Sequence, residues 1–445
     1  MRILAAPYCV GPGARVLEGY AVAYEEGRIV LVAPLDECAK AYPLAEITRE
    51  SDCVVSPGFV NAHMHLYGVL AHGIVPPVPI DSFKGFLEDY WWPLVENLLD
   101  PEMIAAAARA SALELLGCGV TALCDVLEAP LAAPYGLAAE AAVLDGLGLR
   151  ALISSEACER ISTRAGQIVL EENASLIKSY AGHNRIGGMI CTHTAFTCSE
   201  GFMKTALSCA KGLGTSLQFH LSESRYEPDF CERAYGLRPV EWYDRIGILG
   251  KHILAAQGVQ LSTREIELLR EHGARLVHVP LSNCEVGGGV APIPELLAAG
   301  VCCGLGTDGY VNDFFEVMRG AFLIHKGHRE DPSLMSARTV WTMATEGGAD
   351  ALYPDKREGR LEAGAAADLI VIDISDLPTP ATKENLFDQL VLFRSGSNVK
   401  DVFVSGRPLK RDGKLLVGDP REARAASCAQ ATRLWKMGRA RAGLS

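Results

Sequence analysis

The sequence predicts an α/β protein: a (β/α)8 TIM-like barrel with a small β-sandwich domain built from both chain ends. Three observations carry this expectation. Eight short apolar runs of strand character alternate with helical stretches over about 300 central residues, the count and length of such a barrel. Strand-like segments with Gly and Asp-Gly turns occur at both termini, and neither end has enough of them to close a sheet alone. A polar, mostly ionisable, side chain ends nearly every central strand, which is costly unless these residues share one wet mouth.

The elements follow in order. Residues 1–57 form the first part of the sandwich, where "GYAVAYEEGRIVLVAP" reads as two strands around Glu25-Glu26-Gly27-Arg28. Residues 58–358 form the barrel, with strands "SPGFVNAH", "TALCDV", "ALISSEA", "GMICTHTAF", "SLQFHLSE", "HILAAQGV", "ARLVHVPLSN" and "CCGLGTDG". The clearest helix, "PEMIAAAARASALELLGCG", has Pro in its first turn and Gly at its end. Residues 359–420 return to the sandwich through "AADLIVID", "VKDVFVSGRPL" and "GKLLVG", and residues 421–445 follow a proline as a packed amphipathic helix. A doubly wound open sheet is the alternative, but no G-x-G-x-x-G follows the first strand.

Composition excludes several classes. With 49% hydrophobic and 22% charged residues, the chain has the mix of a globular protein with a substantial core. A formal charge of −12 argues against nucleic acid as a partner, because phosphate neutralisation needs an excess of Lys and Arg. No apolar run approaches the 18–20 or so residues of a membrane span, and the N-terminus reads as a strand and not a signal peptide. The 14 cysteines are scattered without a C-x-x-C, which points to reduced thiols in a cytoplasmic protein. Any metal must therefore sit on histidine and carboxylate.

Active sites of this fold lie at the C-terminal ends of the strands. The polar residues falling there are His63, His65, Asp125, Glu156, His193, His220 with Glu223, Gln257, His278 and Asp308. His63 and His65 are two apart, so on a strand both rings face one way and can converge on one point. A pair of hydrogen-bonded mouth histidines would fit the same spacing. His220 and Asp308 would complete a shell of three nitrogens and one carboxylate with room for water, as catalytic zinc requires. A divalent cation there lowers the pKa of bound water to about 7.

The segments "PGFVNAHMH", "HLSES", "GARLVHVPLSN", "GGGVAPIPELLAAGV", "LGTDG" and "LEAGAAADLIVID" resemble the amidohydrolase superfamily. The resemblance is to its branch of nucleoside and heterocycle deaminases and triazine chlorohydrolases. "LGTDGYVNDFFEVMRGAFLIHK", "SEACER" and "RSGSNVKDVFVSG" are similar to an aminohydrolase group linked to selenium metabolism. The resemblance implies one divalent metal on His63, His65, His220 and Asp308, with zinc expected and iron or manganese as alternatives. It implies Glu223 as the proton shuttle, Asp308 as the base toward water, and a homodimer or larger assembly. The implied reaction is deamination of a small heterocycle: a purine, nucleoside, pterin or triazine. Displacement of an alkylamine, halide or amide nitrogen by the same site is the alternative, and a silent ligand-binding member is a third.

Gln257 is the main departure, since the resembling deaminases carry histidine there. Glutamine donates a hydrogen bond but carries no proton. Three readings stay open: Gln257 serves as an oxyanion donor, His278 on the next strand is recruited, or the reaction is lost. His193, Glu156, Arg160 and Trp92 are the candidate substrate contacts. Trp92 belongs to an aromatic cluster with Phe83, Phe86, Tyr90 and Trp91 that either covers a flat ring by stacking or packs a loop helix on the barrel.

Overall fold

Short β-branched and apolar runs in the centre of the chain are buried on both faces, which demands a parallel sheet covered by helices. The structure, a computed structural model, describes residues 1–76 and 79–443 and meets that demand with a closed barrel. Its strands are β1 (Phe59–Met64), β2 (Val120–Leu127), β3 (Arg150–Ala157), β4 (Ile190–Thr192), β5 (Leu217–Leu221), β6 (Ile253–Gln257), β7 (Arg275–His278) and β8 (Cys303–Leu305). Neighbours in this order pair in parallel, and β8 pairs β1 to close the ring. A short strand at Ile186–Gly188 precedes β4 on the same side of β3.

Between strands run α1 (Pro101–Gly117), α2 (Gly136–Leu147), α3 (Thr163–Ser179), α4 (Glu200–Leu213), α5 (Tyr226–Tyr235), α6 (Thr263–His272) and α7 (Phe314–Arg329). Their starts are chemically set. Asp100, Ser162, Ser199, Ser262 and Asp313 accept hydrogen bonds from first-turn amides of α1, α3, α4, α6 and α7. The interior of the barrel is filled by Val60, Ala62, Cys124, Leu254 and Val277, so it is a packed core and not a pore.

A buried acid joins two of these helices. Glu172 of α3 accepts a hydrogen bond from Leu137 N in the first turn of α2, at 3.0 Å. Burial outweighs that bond and raises the Glu172 pKa from 4.5 to about 7. A carboxyl raised in the folded state adds stability that is complete below 4.5 and lost as pH rises through about 7. Between pH 4.5 and 8 the native chain should therefore lose about 3 kcal/mol relative to Glu172→Gln. Denaturant unfolding of both proteins at the two pH values measures the difference.

The chain ends build two further sheets. A seven-stranded sheet takes strands from both ends: Leu369 faces Pro57 antiparallel, and Tyr8 faces Val54 in parallel. The four-stranded sheet, against expectation, comes from the N-terminal part alone, through Arg2–Ala5, Tyr20–Glu25, Arg28–Pro34 and Glu46–Arg49. Leu4, Val22, Val55, Leu369 and Phe403 pack in the shared core. A final helix, α8 (Pro420–Arg441), lies on α1 and on the turn after β1, where Trp435 Nε1 donates to Leu70 O at 2.7 Å. No helix among the described residues is long and apolar enough to cross a membrane.

Candidate metal centre and active-site cavity

Three imidazoles meet at the C-terminal mouth of the barrel. On β1, Val60 and Ala62 belong to the interior cluster, and an irregular register against β2 between Asn61 and Met64 then turns His63 and His65 inward together. On β5 the alternation is clean: Leu217, Phe219 and Leu221 face the helices, while Gln218 and His220 face inward. One ligand nitrogen from each of His63, His65 and His220 lies within 4.8 Å of the others. Asp308, held at the positive φ of 57°, places Oδ1 3.2 Å from His65 Nε2.

Each ring is oriented from behind. His65 Nδ1 donates to Val126 O at 2.7 Å, which leaves Nε2 free toward the centre. The Gln218 amide lies 2.6 Å from His63 Nδ1, and His63 Nε2 is buried without a partner. His220 Nδ1 faces Glu156 Oε2 at 3.4 Å. Electrostatics agree with this geometry. Burial and the two neighbouring imidazoles hold His63 well below its ordinary pKa. His65 is raised well above its own: burial opposes this, but Glu128 and Asp308 outweigh it. Three buried imidazoles with the Asp308 carboxylate beside them can exchange the proton that His65 holds for one bound cation. The donor set of three imidazoles and one carboxylate fits a divalent cation such as zinc.

Above the rings opens a cavity of about 930 Å³, lined among others by His193, Glu223, Gln257, Phe86 and Trp91. Glu223 sits two residues beyond the end of β5. Burial first, then the charge of Asp308, pushes its carboxyl up to about 8. Its backbone is pinned by Gly288 of the "GGGV" stretch, where a Cβ would stand 2.3 Å from Glu223 O, so only glycine fits. Glu227, one turn on, accepts from Ser222 N at 2.5 Å and from Ala195 N at 2.9 Å, tying the β5 loop to the β4 loop.

Gln257 would point outward by simple alternation, since Ile253 and Ala255 do. Its φ of +80° swings the side chain inward instead. There Nε2 donates to Asp308 Oδ2 at 2.8 Å, and Oε1 accepts from Asn283 Nδ2 at 2.5 Å. His278 is a correction. Val277 fills the barrel interior, so the next residue faces the helix layer, and His278 Nε2 meets His325 Nε2 of α7 at 3.1 Å. It is too far round the strand to replace an imidazole at Gln257.

Of the four expected substrate contacts, only His193 lines the cavity, with Nδ1 2.9 Å from Thr197 Oγ1. Glu156 lies behind His220. Arg160 is engaged by Glu96 at 2.5 Å and Asn97 at 2.8 Å. Trp92 packs edge-on against His193 and beneath Arg160, on a separate surface pocket, while its neighbour Trp91 faces the cavity. Adjacent helical residues point about 100° apart, which separates Trp92 from Trp91, and an arginine with a buried carboxylate at hand pairs with it.

Glu128 was not expected. Strand β2 runs to Leu127, so its mouth residue is Glu128, and Asp125 lies deeper, accepting from Leu66 N at 2.5 Å. Counting on to the end of the apolar run "TALCDVL" would have found it. Glu128 accepts from the Tyr67 hydroxyl and stands 3.9 Å from His220 Nε2.

Residues 54–409 match the model of the amidohydrolase family. The chain belongs to that family. The amidohydrolase is 32% identical over 417 residues to a 5'-deoxyadenosine deaminase of Methanopyrus kandleri, covering 92% of this chain and 93% of the relative. It is also 32% identical over 407 residues to a 5-methylthioadenosine/S-adenosylhomocysteine deaminase of Moorella thermoacetica, covering 90% and 92%. Among solved structures, an adenosine deaminase from Xanthomonas campestris with bound zinc superposes with a TM-score of 0.87, at 27% identity and 98% coverage of both chains. The zinc complex of an atrazine chlorohydrolase from Arthrobacter aurescens shares the fold with a TM-score of 0.83, at 20% identity and coverage of 97% and 100%.

Proposed function

We propose that this amidohydrolase is a metal-dependent aminohydrolase that removes ammonia from an amino-substituted N-heterocycle, with adenosine-type nucleosides as the first class to try. The observation that carries this reading is the convergence of His63, His65 and His220 with Asp308 beneath a half-buried Glu223. Relatives named as deaminases over nine-tenths of the chain support it.

His63, His65, His220 and Asp308 would hold one divalent cation. When bound, it supplies Lewis acidity and water with a pKa near 7. The protein's own groups do the rest. Asp308 stays ionised, because His65 and the Gln257 amide outweigh the burial that would neutralise it, and it can accept the proton of the attacking water. Glu223 is protonated at neutral pH and can deliver its proton to the ring nitrogen beside the amine-bearing carbon. The carboxylate so formed takes up the second proton of the attacking water and passes it to the departing amine; ammonia leaves, and the proton on Asp308 returns to Glu223, which restores both groups. The Gln257 amide, with one N–H on Asp308, keeps a second for the oxygen that replaces the amine. Walls of Phe86 and Trp91, with centroids 5.2 Å apart and planes 23° apart, offer faces on which a flat ring stacks.

Ammonia release from adenosine, 5'-deoxyadenosine and methylthioadenosine, alongside aminopterins and chlorotriazines, tests the reading. Turnover of a chlorotriazine without ammonia, and of no amine, would reject deamination. Chelation followed by dialysis should remove about one metal per chain and at least about 10² of the rate, and added zinc should restore both.

A further inference from the structure

Beside the three imidazoles stands a second set of donors. One ligand atom from each of Glu128, Glu156, His193 and His220 lies within 4.8 Å of the others, the same spacing that gathers His63, His65 and His220. Three consecutive strands supply the new members. Glu128 follows β2, Glu156 is the penultimate residue of β3, and His193 follows β4. Leu152 and Met189 pack with the barrel interior, and residues an even number apart on extended chain share a face, so Glu156 and His193 are aimed inward.

The other bonds of these side chains leave donor atoms unused. Glu156 Oε2 and His220 Nδ1, on residues each 3% exposed, lie buried 3.4 Å apart with no hydrogen-bond partner. Tyr67 takes one oxygen of Glu128 and leaves Oε1 3.9 Å from His220 Nε2. Thr197 Oγ1 holds His193 Nδ1 at 2.9 Å, which frees Nε2. Among the described residues neither glutamate forms an ion pair with lysine or arginine; Arg160 is bound to Glu96 and Asn97. Orphaned polar atoms so deep in a protein call for a partner. A cation over His63, His65 and Asp308 engages one nitrogen of His220 and supplies nothing to Glu156. Without a cation of its own Glu156 keeps its proton, because burial and then the charge of Glu128 raise it well above 4.5, and a ligated cation would take that proton's place.

We propose that Glu128, Glu156 and His193 bind a second divalent cation, with His220 as the member common to both sets, and that this cation competes with substrate. Two carboxylates and one imidazole make a harder donor set than three imidazoles and one carboxylate, and suit manganese as well as zinc. With three donors of its own against four at the first centre, the second cation is the weaker and the first to leave on dialysis. Glu128 and His193 line the cavity, so a cation between them occupies the wall beside the reacting ring of a substrate. The competition, unlike the site, rests on the deaminase reading.

Manganese is the probe, because it ranks below zinc in affinity for a common site and does not displace zinc from the first. Manganese chloride is titrated into the full chain loaded with one zinc. Free manganese is read from its paramagnetic resonance signal, and both metals are counted by elemental analysis. The expected result is about one bound manganese per chain, half-saturated below about 1 mM, with zinc retained. Glu128→Gln and Glu156→Gln should each weaken manganese binding by at least about tenfold. Glu285→Gln, which alters an exposed acid on the same cavity, should leave it unchanged. Zinc counted in each variant separates loss of this site from loss of the first. Bound manganese should raise KM for an adenosine-type substrate and leave kcat nearly unchanged. No binding below about 1 mM, zinc released in proportion to manganese bound, or undiminished binding in both glutamine variants overturns the site. Manganese bound with KM unmoved keeps the site and rejects the competition. The metal counts need no turnover, so they succeed or fail separately from the deaminase reading.

Discussion

Glu223→Gln is expected to lower kcat by about 10²–10⁴ while metal content and ligand affinity stay within a few-fold. Glutamine matches the carboxyl in shape, so the loss isolates the proton and not the packing around Gly288. The pH profile gives the sharper test. Burial and the Asp308 charge raise the Glu223 carboxyl to about 8, so the residue is protonated below that value and loses its proton as pH rises through it. A bound cation offsets part of the Asp308 charge and moves the limb toward lower pH, while burial keeps it above the ordinary 4.5. The native enzyme should therefore lose kcat on the alkaline side with a single ionisation, and Glu223→Gln should lack that limb. A full-rate Glu223→Gln enzyme, or the same limb in both proteins, would exclude proton delivery by Glu223.

Most of the fold was legible because its signals are local. Each barrel strand is a short apolar run between turn residues, and eight of them with helices between admit few other closures. The origin of the four-stranded sheet was not legible, because it depends on which strand edges meet, and Arg2–Ala5 shows nothing in its composition that chooses Glu46–Arg49 over a strand from the other end. At the site, spacing alone placed His63 and His65 on one side, and the structure agrees. Direction was harder than position. His278 lies at the end of its strand as expected but points outward, while Gln257 points inward only because its φ is positive. Glu128 was missed by three residues because Asp125 looked like the end of β2. These are questions of side-chain aim, set by backbone angles and strand ends that apolar patterns do not encode.

The amide at 257 gives the second large effect. Gln257 can serve as a donor to Asp308 only while its oxygen is turned the other way, and Asn283 Nδ2 is what holds that oxygen, at 2.5 Å, on a side chain 1% exposed. Asn283→Asp replaces this N–H donor with an acceptor. The Gln257 amide must then turn its nitrogen toward residue 283 and its oxygen toward Asp308 Oδ2, where two acceptors repel. The expected result is a fall in kcat of about 10²–10³, comparable to losing one oxyanion donor, with metal still bound. Gln257→His reverses the logic, because a protonated imidazole has an N–H on both sides and can satisfy the new carboxylate at position 283 and Asp308 together. In that background Asn283→Asp should cost less than about tenfold, so the two substitutions should be strongly non-additive in a double-mutant cycle. Additive losses would show that Asn283 acts on stability or on the neighbouring Gly288 turn and not through the orientation of the amide. The cycle also decides how this chain works without the histidine of the deaminases it resembles, since it measures the fixed orientation of one hydrogen-bond donor in the units of the reaction rate.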